Sequence, residues 1–395
     1  MFKKHKKIIL LAILVRFLVM PFFYHPDIKS QHYHFQFLSK GIFNVYQHIY
    51  DNKENLAYKD TFNYLPLTYY TFGSTQLISK PLLGNGFHSW INDWGETANN
   101  HPNIIFYLFT LKLPYLALDI GLAFLLLKIS KNKKIFYFWL FNPISIYLIY
   151  ILGNFDILPV FLTVLSFYFL KKNKLPLSYL SIGFAIALKL YPIIFLPFIF
   201  FYKPKDFIKN LKYFTIAFLP TLITILPFLR NDIFLTSFMG SGLTQKILEY
   251  KIGVVPLFPF LYLLILTNYF FSKSKHKFEI AISQVFLFFI GLVNFHPQWI
   301  LWFFPFIVLN LFNFKNKFIL LLFFLLTFVY IFLFNDNYLF WGHLTPISPY
   351  FASLTSPYQI LKLKLSLNPG LIQNKIHQIL LLLAIFTSLT YVKKK

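Results

Sequence analysis

The chain has 395 residues, of which 57% are hydrophobic and 22% aromatic, and its mean hydropathy of +0.60 is too high for a soluble protein of this length. The formal charge of +24 does not point to nucleic acid, because the Lys residues form short clusters between apolar runs and no basic face is interleaved with aromatics. There is no cysteine, which excludes disulfides, thiol chemistry and Cys-ligated metals. The abundance of Phe, Lys, Ile, Asn and Tyr resembles the product of an AT-rich genome and points to a bacterium.

Apolar runs near the bilayer-spanning length of about 20 residues recur along the chain. The first, about 8–23, lacks a small-residue cleavage site and reads as a retained span. Lys clusters at 3–7, 128–134, 171–174, 203–212, 272–277, 315–317 and 393–395 hold more than half of the 37 basic residues. Placed in the cytoplasm, they thread the chain as an all-α integral membrane protein with both termini inside. About 12 transmembrane or half-membrane helices follow, and the chain reads as one integral membrane domain. After a first outer loop, 24–103, spans are expected near 104–127, 135–152, 157–170, 213–229, 253–271, 278–294, 298–313, 318–334 and 378–392. The stretch 176–202 keeps this order only as a helical hairpin with KLYP at its tip, and Lys189, Pro192 and Pro197 favour such a broken element. Ten carboxylates then fall outside: Asp27, Asp51, Glu54, Asp60, Asp93, Glu96, Asp156, Asp232, Glu249 and Asp336.

The first outer loop is roughly 80 residues long, against about 4–6 for a bare connection. Its stretch 62–83 is expected to form short amphipathic helices on the membrane surface, and a second outer segment, 335–377, has the same Tyr- and Phe-rich character.

Asp27 stands at the outer lip of span 1, where a carboxylate can take a proton from a hydroxyl. Its ordinary role would be a loop acid or helix cap. Asp156, between two spans, suits either an N-cap or a functional acid. Lys189 is costly among apolar residues and marks an anionic ligand, unless it snorkels to a headgroup. His296 and Gln298 form a polar knot beside Trp anchors. Lys112 and Asp119 share a helix face, and a structural ion pair or a helix-bundle contact is their expected role. His25, Asp27, His32 and His34 could hold a divalent ion, but their spacing matches no compact site. Neither a metal nor any other cofactor is expected.

A first span followed by an Asp-bearing loop, FNYLPLTYY, LKLPYLALDIGLAFLLL, WLFNPISIYLIYILGNFDILPV, FAIALKLYPIIFLP and FHPQWILWFFPF together resemble polytopic glycosyltransferases of the GT-C fold. The chain is most similar to the mannosyltransferases of glycosylphosphatidylinositol synthesis and their prokaryotic relatives. The resemblance covers about 8–202, the expected catalytic module, and returns at 294–306. Residues 203–395 form a more variable bundle.

The resemblance implies transfer of a hexose, mannose first, from a polyprenyl-phosphate sugar to a lipid, glycan or protein acceptor outside a bacterial plasma membrane, with inversion. It places the base at Asp27. Lys29 stands where family members carry a second acid, so Asp156 is the reserve candidate. Lys189, Tyr191, His296, Gln298 and Arg230 are expected at the donor phosphate and lipid. His25, Tyr64 and Asn154 are expected at the substrate. A small membrane partner subunit completes the expected partners, with no nucleic acid. The rival classes are a transporter or lipid-linked-sugar flippase, against which the absence of an internal repeat counts, and an inactive scaffold of the same fold.

Overall fold

The structure is a computed structural model that describes residues 2–95, 101–203, 207–240, 242–311, 314 and 317–392. Glu96, counted above with the outer acids, and several Lys at 204–206, 315–316 and 393–395 lie outside the described residues. The described chain is helical apart from one two-residue hairpin, Lys251–Ile252 paired antiparallel with Val255–Pro256. It divides into two compact units. The first comprises Met1–Ile193, Asn210–Ser241 and Trp341–Leu354, and the second Ile194–Lys209, Gly242–Phe340 and Thr355–Lys395.

In the first unit α1 (Phe2–Val19) is followed by α2 (Pro26–Phe35), α3 (Val45–Asn52), α4 (Pro66–Leu83) and α5 (Gly86–Asn92). Then come the long α6 (Ile104–Ser130), α7 (Lys133–Phe141), α8 (Pro143–Ile146), α9 (Ile157–Lys171) and α10 (Leu175–Leu188). The stretch 62–83 is thus one 18-residue helix from Pro66, not several short ones. Pro66 occupies its first turn, where the missing N–H costs nothing. Thr68, Tyr69, Phe72, Gly73 and Gln76 form its buried stripe.

Between α7 and α8 the chain bends by 47°. Asn142 sits at the bend and its side chain accepts from the amides of Ile144 and Ser145, so the new helix start is capped. The pair α9–α10 is sealed by reciprocal bonds: Ser166 donates to the Ser178 carbonyl at 2.8 Å and Ser178 to the Ser166 carbonyl at 2.9 Å. Small hydroxylated residues let apolar helices approach where lipid supplies no hydrophobic drive. Gly183 of α10 lies so near the backbone of Ala217 that a Cβ there would sit 2.5 Å from its carbonyl oxygen.

The second unit packs Leu257–Phe271, Lys277–Leu292, Ile300–Asn310, Lys317–Phe332 and Pro369–Val392. Its interior polar groups are tied inward: Tyr269 donates to the Phe198 carbonyl at 2.7 Å and Asn310 to Ser283 at 3.1 Å.

By length and composition three described helices can cross a membrane: Ile104–Ser130, Phe207–Phe228 and Pro369–Leu389. The bent pair of α7 with Pro143–Ile151 makes a fourth. Six further apolar helices have only 10–17 residues. About twelve transmembrane or half-membrane helices were expected from the apolar runs, and the described helices include both lengths.

Candidate active site

Asp27 lies in the first turn of α2. His25 precedes the helix in an extended conformation (φ −132°, ψ 139°), and its Nδ1 accepts from the amide of Asp27 at 3.2 Å. Pro26 fixes the first helical position, and the positive helix end favours a carboxylate there. The Asp27 carboxylate is 3.5 Å from His25 Nδ1, and its side chain keeps 35% of its surface exposed.

The end of α1 reaches this point through Lys112 of α6. The pair expected between Lys112 and Asp119 does not form. Lys112 donates to the carbonyls of Met20 at 2.9 Å and Phe23 at 2.6 Å, while Asp119 binds Arg16 at 2.7 Å. Seven residues along a helix rise about 10 Å, beyond direct pairing, and each group takes the partner α1 offers at its own level.

Asp156 precedes α9 but makes no side-chain cap. Instead its Oδ1 receives Lys189 Nζ at 2.6 Å. Lys189 ends α10 in extended backbone (φ −152°, ψ 138°). Pro192, which has no N–H to donate, follows in the 3₁₀ turn Tyr191–Phe195. The expected break at KLYP is therefore present. The Asp156 side chain is fully buried and Lys189 is 15% exposed.

Gly153 shapes the loop before Asp156. Its φ of +62° favours glycine, and an added Cβ would meet Lys112 Cε at 3.1 Å and Ile28 of α2 at 3.5 Å. The loop before Asp156 therefore lies against α2, the helix that carries Asp27. Asn154, buried, receives the Asp156 amide on its Oδ1 at 3.2 Å, and its Nδ2 has no partner among the described residues.

Tyr64 joins the two halves. Its ring lies under Lys189 Nζ at 5.5 Å and packs edge-on against Phe155 at 4.9 Å. The Tyr46 hydroxyl holds its carbonyl at 2.6 Å, and Thr68 of α4 donates to the carbonyl of Leu188. The Tyr64 phenol is pushed well above its ordinary range, first by burial and then by the charges of Asp27 and Asp156, against a hydrogen bond from Gln31. Tyr64 therefore lies in the field of both carboxylates. Tyr191, buried, lies in the field of Asp156.

The remaining candidates go elsewhere. Lys29 turns from this group: its Nζ donates to the Asp93 carbonyl and sits over Trp90 at 5.2 Å and Trp94 at 4.9 Å. Burial lowers it to about 8, opposed by Asp93. His32 and His34 are buried and both pulled down to about 4, chiefly by burial. The first meets Gln76 at 3.3 Å and the second donates to the Asp60 carbonyl at 3.1 Å. Among the described residues no three His, Asp or Glu side chains gather. Arg230 is exposed in the first unit.

His296 and Gln298 belong to the second unit. There His296 Nε2 lies 3.2 Å from Lys246 Nζ, and the ammonium stands over Trp299 at 5.1 Å. Lys246 has no mark of function in its local sequence. It comes from a separate helix, Leu243–Ile247, 50 residues before His296.

Residues 104–240, which carry Lys112, Asn154, Asp156 and Lys189, match the model of glycosyltransferase family 87. The chain resembles a GT-C-type membrane glycosyltransferase. GPI mannosyltransferase 1 of Kluyveromyces lactis is 27% identical over 193 residues, 48% of this chain and 43% of that protein. The chain thus matches less than half the length of that curated relative. No solved structure gives a significant match. Asp27, Tyr64 and the Lys189–Asp156 pair all lie in the first unit.

Proposed function

We propose that this protein is a membrane glycosyltransferase. It moves a hexose, mannose first, from a polyprenyl-phosphate sugar onto an acceptor hydroxyl on the non-cytoplasmic face of a bacterial plasma membrane. The observation that carries the reading is the convergence of Asp27, Tyr64 and the Lys189–Asp156 pair in the unit that holds most of the family 87 match.

The chemistry balances with these groups. The Asp27 carboxylate takes the acceptor hydroxyl proton. The freed oxygen bonds to C1 of the sugar from the face opposite the phosphate, and the C1–O bond electrons leave with the polyprenyl phosphate, so the anomeric configuration inverts. Charge grows on the departing phosphate, where Lys189 and the Asn154 amide stabilise it from a site that excludes water. No metal and no other cofactor takes part. A protein crossing the bilayer with apolar helices gives the donor's lipid tail a place to lie.

The test is transfer in detergent. Purified protein given polyprenyl-phosphate mannose and an acceptor should release polyprenyl phosphate with no sealed compartment. A transporter needs the compartment, so strict dependence on sealed vesicles, with no phosphate released, would refute the reading.

Lys189→Met is expected to lower kcat/KM for the donor by about 10²–10³, the loss typical of one preorganised stabilising group. Its effect on acceptor KM should be small. An unchanged donor dependence would leave Lys189 only a structural partner of Asp156.

A further inference from the structure

The loop at 341–354 belongs to the first unit and carries His343 to the base of α2. Tyr24 donates its amide to the His343 carbonyl at 2.9 Å, and His343 Nδ1 lies 3.0 Å from the Tyr24 carbonyl, across 319 residues of chain. A carbonyl only accepts, so Nδ1 carries the proton. The His343 side chain is buried, and its Nε2 has no partner among the described residues.

The surroundings hold the ring neutral. Burial pulls its pKa down to about 3, and the charges of His25 and Lys112 push the same way, against the bond to Tyr24. The ring lies 5.9 Å from that of His25 and 5.9 Å edge-on from that of Tyr147. A buried polar ring with one nitrogen unpaired is costly.

What the ring does hold is the backbone of residue 24. His25 follows, and its Nδ1 fixes the amide of Asp27. With Lys112 on the carbonyls of Met20 and Phe23, the short crossing from α1 to α2 is pinned at residues 20, 23 and 24.

We propose that His343 is a positioning residue for the transfer reaction: through its Nδ1–H bond to Tyr24 it fixes the segment that aims the Asp27 carboxylate at the acceptor. This rests on Asp27 being the base. The outer segment 335–377 then contributes to the active site although it holds none of the reacting groups.

The test compares side chains that reproduce one ring nitrogen each. In His343→Asn the amide N–H stands near the place of Nδ1, and in His343→Gln near that of Nε2. We expect His343→Gln and His343→Ala to lose about 10²-fold in kcat, the scale for a misaimed reacting group. KM for donor and acceptor should stay close to the parent. His343→Asn should recover most of the rate. Thermal melts in detergent identify any variant that fails to fold, and the Asn–Gln contrast decides if His343→Ala is one. Equal rates in Asn and Gln, whether both high or both low, overturn the proposal. Asp27→Asn run alongside separates the two levels. If it transfers normally, the Asp27 reading fails; if it is inactive while His343→Gln keeps full rate, only the His343 inference fails.

Discussion

Asp27→Asn should lower transfer by about 10²–10⁴, the range that positioned general bases supply, and leave the melting temperature unchanged. The choice of Asp27 over Asp156 rests on exposure and partnership. A base must reach the hydroxyl of an incoming acceptor, and the Asp27 side chain keeps 35% of its surface open with His25 3.5 Å away. The Asp156 side chain is wholly buried and bonded to Lys189 at 2.6 Å. A carboxylate with no exposed surface, already bonded to an ammonium, is closed to an incoming hydroxyl. The two substitutions should therefore separate. Asp156→Asn removes one partner of an interior pair, a loss on the order of 3–5 kcal/mol, and should show first in the melt. Asp27→Asn should show only in the rate, followed as release of polyprenyl phosphate at saturating donor and acceptor. Full turnover by Asp27→Asn would remove it from the base role and return Asp156 to consideration.

How far the site could be read in the chain depends on where each residue announces itself. Asp27, Asp156 and Lys189 stand where an apolar run stops, beside Pro or Gly, and a charge at such a break is visible without knowing the fold. Tyr64 could be placed only through the motif around it, because one tyrosine among 26 carries no signal of its own. Pairings were less legible. Lys112 and Asp119 look like partners from spacing alone, yet Asp119 meets Arg16 of α1, 103 residues earlier, and Lys112 meets Met20 just past α1, 92 residues earlier. His343 reaches Tyr24 across 319 residues, and local pattern cannot reveal that. Lys29 shows the same limit. Its position matched a missing second acid, and only the fold shows the ammonium turned onto Trp90 and Trp94. Helix length is less legible than helix position. Apolar composition marks a helix as buried in lipid or protein, but not whether it runs long enough to cross. Hence α9 and α10, at 15 and 14 residues, looked like crossings or halves of a hairpin by hydropathy alone.

The largest effect on stability is expected at Arg16 and Asp119, whose side chains are both fully buried. Arg16 Nε donates to Asp119 Oδ2 at 2.7 Å, and its Nη1 donates to the carbonyls of Leu140 at 2.6 Å and Ala12 at 3.1 Å. Asp119 also receives Trp139 Nε1 at 2.7 Å and the Tyr150 hydroxyl at 2.8 Å. One carboxylate thus ties α1, α6, α7 and the turn after α8. Arg16→Met leaves that carboxylate buried without its cation, and the protein should lose about 3–5 kcal/mol, read as a lower melting temperature in detergent. Replacing both partners, Arg16→Met with Asp119→Leu, removes the stranded charge. The double variant should then be more stable than the sum of the two single losses predicts, by about 0.5–3 kcal/mol of coupling. Because Met20, whose carbonyl Lys112 holds, directly follows α1, a loosened α1 also frees the segment leading to Asp27, and transfer should fall with the melt. Strict additivity of the two substitutions would mean that the ion pair contributes nothing beyond its separate hydrogen bonds.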